Sequence, residues 1–185
     1  MAGFNLDLSQ GSAAHDGKLE TYAVDAAHAT LLAPGDVIRL QGSAAADGVA
    51  TVDASAATGS ITGIIASVMP QFTGENLTET GLPASTAGRV RCHIDPNLNF
   101  IVDVSNGTLT AANVGQNANA AVTAATKNGG LTVSNMTLDA ATAATTSTLQ
   151  FRIVGLVPND SGAIDGTRAR VRMNNTTTRA GATGV

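Results

Sequence analysis

The side chains with the most chemistry to offer are arginines set two residues apart. Arg168, Arg170 and Arg172 alternate with Ala169, Val171 and Met173. On a β-strand successive side chains point to opposite faces, so all three guanidiniums would project from one face. A guanidinium fork binds a carboxylate through two parallel hydrogen bonds, and such a stripe suits a carboxylate-bearing partner surface. It also suits the solvated outer face of a half-buried strand, the more ordinary arrangement. Arg89 and Arg91 repeat the spacing on a second segment. Other candidates are weaker. His15, His28 and His93 show no metal-ligand spacing, and Asp25, three residues before His28, does not complete a site. Cys92 is the single cysteine, which leaves no internal disulfide and no cysteine-based zinc site. On an alternating strand it reads as a buried free thiol. No Gly-x-Ser-x-Gly elbow, phosphate-binding Gly-rich loop or dinucleotide fingerprint is present. Asn159 to Asp165 gathers oxygen ligands without the spacing of a calcium loop, so an ordinary side-chain-capped turn is expected. No catalytic residue, metal or cofactor is expected.

The elements that would position these residues must be built from small side chains. In 185 residues there are 33 Ala, 24 Thr and 20 Gly, against 14 Leu, 15 Val, 8 Ile and 4 Phe. The large core-formers sit just above the roughly 20 % below which chains tend to stay disordered. Charged residues are 13 % and the net charge is −4, so self-repulsion does not oppose folding. A thin core follows, with part of the stability expected from association with copies of itself or with a partner. The acidic balance (pI near 5.1) argues against a nucleic-acid partner, and five aromatics make no base-stacking platform. No apolar run reaches the length of a membrane span, and the first residues lack a secretory leader pattern, so neither is expected.

Short β-branched runs separated by Gly, Asn, Asp and Pro predict an all-β chain with few short helical turns. Residues 1–17 read as an extended or mobile N-terminal arm. Residues 18–87 read as a small β-barrel-like unit with its linker, punctuated by turns at Pro34-Gly35 and Asp47-Gly48. Gly63, inside the β-prone window Ser60 to Val68, suggests a bulge or a close backbone approach. Residues from Pro70 to Ala87 read as the linker. Residues 88–173 read as a β-sandwich-like unit. Within it, Arg89 to Ile94 and Asn99 to Val104 flank the Asp95-Pro-Asn turn and look like a hairpin. The strongest strand is Thr148 to Val157, with Leu149, Phe151 and Ile153 inward and Gln150 and Arg152 opposite. Residues 174–185 read as a tail.

Several segments together resemble a known family. They are Ile94-Asp-Pro-Asn, Phe100-Ile-Val-Asp-Val, Leu109-Thr-Ala-Ala-Asn-Val-Gly-Gln-Asn-Ala, Leu138 through Val157, and Arg170-Val-Arg-Met-Asn-Asn. This series, covering roughly residues 90 to 175, resembles the head decoration (cement) proteins of tailed bacteriophages. The block Ala33-Pro-Gly-Asp-Val-Ile, Gly48-Val and Ile61-Thr-Gly-Ile-Ile looks like their small β-barrel. Such proteins often end in Asn-Asn-His, whereas here Asn174-Asn175 is followed by Thr176 and further residues. The resemblance implies a non-enzymatic virion protein on the capsid exterior, made in the bacterial host cytoplasm. Its partners would be the major capsid protein and itself, commonly as a homotrimer, with no nucleic acid, membrane or small-molecule substrate. In that reading the arm adds a strand to a neighbour, and the partner contacts are Phe4, Leu6, Leu8, Arg89, Arg91, Arg168, Arg170 and Arg172. A receptor-binding or adhesin module has a similar composition, but sugar sites usually stack on exposed aromatics. Tyr22 is the only tyrosine and Trp is absent.

Overall fold

The computed structural model describes residues 3–7, 19–70, 80–181, 183 and 184. In chain order its strands are β1 (Asn5–Leu6), β2 (Leu19–Val24), β3 (Val37–Ala44), β4 (Ala50–Ala54), β5 (Gly63–Val68), β6 (Gly88–His93), β7 (Asn99–Ser105), β8 (Asn117–Ala118), β9 (Ala120–Ala121), β10 (Thr126–Asn128), β11 (Leu131–Val133), β12 (Thr137–Asp139), β13 (Phe151–Leu156) and β14 (Arg168–Met173). Short 3-10 turns lie at Ala111–Asn113 and Ala140–Thr142. The chain is all-β, with a closed barrel β2-β4-β3-β5-β6 and a larger, sandwich-like sheet β8-β13-β14-β7-β12-β9, on which β1 pairs with β7.

Local chemistry sets these elements. Gly35 and Gly48 adopt φ of 90° and 84°, the left-handed region that L side chains avoid, at the two turns read from the sequence. Gly63 is a close backbone approach, since a Cβ there would collide with the His93 carbonyl oxygen. Alternation along β3 and β5 then divides neighbouring residues between two cores. Ile38 and Ile65 point into the barrel with Val24, Leu32, Val52, Leu82, Val90 and Cys92. Val37 and Ile64 point out of it, into the cluster formed by Phe100, Phe151, Ile153, Val171 and Met173 of the sheet. One wall of the barrel is therefore the floor of the sheet's core, and the two units are packed into one body.

That arrangement corrects several expectations. The segment Gly88–His93 closes the barrel by pairing with β2 and β5, so it forms no hairpin with β7 and does not belong to the sandwich-like unit. The Asp95-Pro-Asn turn redirects the chain from one unit to the other. Leu82, inside the expected linker, is fully buried in the barrel core and bridges to Leu32; residues 71–79 lie outside the described residues. Phe4 is buried, with its ring stacked on Phe151 at 4.5 Å, and β1 lies along β7 of the same chain. This part of the arm is therefore built into the fold, while residues 8–18 lie outside the described residues. The first part of the expected tail is also docked. The Ile61 amide donates to the Asn175 carbonyl (3.0 Å), and the Thr177 amide donates to the Ile61 carbonyl (2.8 Å). Gln150, expected on the outer face, is fully buried and donates through Nε2 to Ser55 Oγ (3.2 Å) and the Ala56 carbonyl (2.9 Å). It precedes β13, so the alternation of that strand does not reach it.

Candidate functional site

The outer face of the sheet carries the arginine stripe. Ala169, Val171 and Met173 are buried beneath it, which fixes Arg168, Arg170 and Arg172 on the other side of β14. Two of the three are neutralised from within the chain. Arg168 donates through Nε to Asp103 Oδ1 (3.1 Å) and through Nη1 to Asp160 Oδ1 (2.9 Å). Arg168 beside it holds the Asp160 carboxyl below the usual carboxylate range, and the two carboxylates push the Arg168 guanidinium up. Arg170 donates through Nε to Asp7, whose side chain is only 1 % exposed. This pair ties the N-terminal segment to the sheet.

The third arginine is different. Arg172 is exposed and donates through Nε to the amide oxygen of Asn99 (2.6 Å). Directly opposite it in register on β13 lies Arg152, and the row continues to Asn117 on β8 and Asn99 on β7. Arg152 donates through Nε to Asn117 Oδ1 (3.4 Å) and through Nη2 to the Thr183 carbonyl. The row thus reads Asn117, Arg152, Arg172, Asn99 across four strands. No described carboxylate pairs with either of its arginines. Sequence reading assigned Arg152 to the outer face but did not join it to Arg172, because the strand register across residues 157–167 was not legible.

The remaining expected contacts lie elsewhere. Arg89 and Arg91 are on β6 of the barrel, not on the sheet; Arg89 pairs with exposed Asp47, and Arg91 is exposed. Phe4 is a core residue, and partly buried Leu6 packs against the same core. Leu8 lies outside the described residues. Asn159 Oδ1 accepts from the Ser161 amide (3.0 Å), the Ser161 hydroxyl (2.7 Å) and the Ala163 amide (3.0 Å), the capped turn expected there. Asp165 Oδ1 likewise accepts from the Thr167 amide (3.0 Å) and hydroxyl (2.6 Å). His15 is outside the described residues, and His28 is buried with Nδ1 at 2.8 Å from the Asp25 carbonyl. His93 packs edge-on against Phe100. Cys92 is a buried free thiol, and burial pushes its ionisation up, which keeps it in the unreactive thiol form. Among the described residues no group of three or more His, Cys, Asp or Glu is placed to hold a metal ion. A cleft lined by Phe4, Leu6, Pro34, Ile65 and His93 runs between β1 and the barrel. Comparison of the chain with protein-family models, with curated proteins and with solved structures gives no match in any of the three.

Proposed function

We propose that the chain is a non-enzymatic structural protein that binds the outer surface of a tailed-bacteriophage head between capsomers and braces it. The resemblance of residues 90 to 175 to head decoration proteins motivates the reading. The observation that carries it is the shared core, in which Val37, Ile61 and Ile64 of the barrel interlock with Phe100, Phe151 and Met173 of the sheet. Docking of both terminal segments reinforces this junction, through Phe4 stacked on Phe151 and Asn175 bonded to Ile61. Close-packed interiors transmit strain, so a body fused in this way resists bending between its two halves. A brace bridging neighbouring capsomers needs that property. The polar side chains support the same role: Gln150, Asp7 and Arg170 hold chain segments together. In this reading the partners are the major capsid protein and further copies of the chain as a homotrimer. The protein is made in the host cytoplasm and resides on the capsid exterior, with no nucleic acid, membrane or small-molecule substrate.

Pelleting with assembled heads tests the proposal. Purified protein mixed with expanded heads of the capsid protein encoded with it should co-sediment and saturate at a fixed number of copies per head. Protein that stays in the supernatant at every concentration overturns it.

A further inference from the structure

We infer that the Arg152–Arg172 pair is the contact that receives a carboxylate side chain of the protein partner; the identity of that partner as the shell protein rests on the function proposed above. Three observations carry the inference. The two guanidiniums lie on directly opposed residues of β13 and β14, a placement in which like charges repel. Each is held by an asparagine oxygen on its outer side, Asn117 for Arg152 and Asn99 for Arg172, and Arg152 Nη2 also donates to the Thr183 carbonyl; these contacts orient a guanidinium without neutralising it. The other two arginines of the face, Arg168 and Arg170, are both matched to aspartates of the chain itself. Among the described residues, the sheet therefore pairs its arginines with carboxylates everywhere except at this row.

The geometry favours a single carboxylate over a phosphate chain. Nε of Arg172 is engaged by Asn99, which leaves its Nη atoms to donate outward from an exposed side chain. One carboxylate between the two forks would accept charge-assisted hydrogen bonds from both and remove their repulsion. A longer polyanion would run along β14 onto the carboxylates of Asp103 and Asp160, which flank Arg168 on the same face. A basic patch bounded by its own acids suits an isolated acidic side chain on a folded surface.

Two measurements on the full chain test this. The first follows arginine Nε–H signals by NMR while a capped peptide carrying a single glutamate, and separately inorganic phosphate, is added. The inference predicts saturable shifts of Arg152 and Arg172 with the peptide, none at exposed Arg91, and binding weakened about tenfold in Arg172→Gln. Arg172 is exposed, so this variant keeps the fold, as its unchanged melting transition would confirm. Even shifts at every exposed arginine, a variant that binds like wild type, or tighter binding of phosphate than of peptide overturns the inference. The second measurement pellets the double variant Arg152→Gln/Arg172→Gln with heads. Loss of binding by the variant alone supports the inference. A variant that pellets like wild type overturns it while leaving head binding intact. Failure of the wild type to pellet overturns head binding instead, and the peptide titration then decides this face by itself.

Discussion

Replacing Asp36 with asparagine should abolish a pH dependence of stability that originates in the joint between the units. Asp36 is fully buried in the turn that leads into β3. Its Oδ2 accepts from the Ala33 amide at 2.8 Å, while Oδ1 has no hydrogen-bond partner. The same turn accepts the Phe4 amide at the Gly35 carbonyl (3.0 Å) and the Ile65 amide at the Asp36 carbonyl (2.9 Å). Burial pushes the Asp36 carboxyl from its ordinary 3.8 up to about 6, with the nearby Ser134 hydroxyl and the Ala33 amide drawing it only partly back. The folded chain thus holds a proton that the unfolded chain releases above 3.8. The stability contributed by this group is complete below 3.8 and is lost as the pH rises through about 6. A gap of roughly two pH units, at about 1.4 kcal/mol each, gives about 3 kcal/mol. Urea unfolding of wild type and Asp36→Asn at about pH 3, 5 and 7 measures the difference directly, since the other titrating groups are common to both chains. Relative to the variant, wild type should lose about 3 kcal/mol between the acid and neutral ends. A difference that stays flat, or grows with pH, would rule out this role for Asp36.

Further outcomes follow from the same contacts. Phe4→Ala should cost about 3–5 kcal/mol in urea unfolding, because the ring fills the sheet core beside Phe151; a loss too small to resolve would mean the N-terminal segment is not part of the fold. Gly63→Ala should destabilise by about 3 kcal/mol or block folding, since its Cβ meets the His93 backbone rather than a side chain that can move. Asp7→Ala should cost about 3 kcal/mol by leaving Arg170 without its charge partner in a half-buried site. Asp47→Ala, at the exposed pair with Arg89, should leave the melting temperature unchanged; equal losses at both pairs would contradict this ranking by burial.

The local pattern was legible and the long-range pairing was not. Alternation placed Ala169, Val171 and Met173 inside and their arginine neighbours outside, because a period of two is written into any half-buried strand. The turns at Gly35 and Gly48 were readable for an equally local reason. The partner of β6 was not. A turn signal between Arg89–Ile94 and Asn99–Val104 predicts a hairpin, but burial of Val90 and Cys92 against Val24 and Ile65 won, and the strand closed the barrel. The sequence also could not show that Val37 and Ile38 serve different cores, since a run apolar on both faces resembles any buried strand. The docked termini were missed because Phe4 and Asn175 stand among polar and small residues and find their partners far along the chain. At the candidate site, three of the arginines were found by spacing. The decisive fourth, Arg152, required the β13–β14 register.

The proposed stiffening of a shell by this β body is read from the release of packaged DNA from filled heads on heating, with and without saturating protein. Decorated heads should retain their DNA to a higher temperature, with the gain following occupancy. Identical release curves for decorated and bare heads would contradict it.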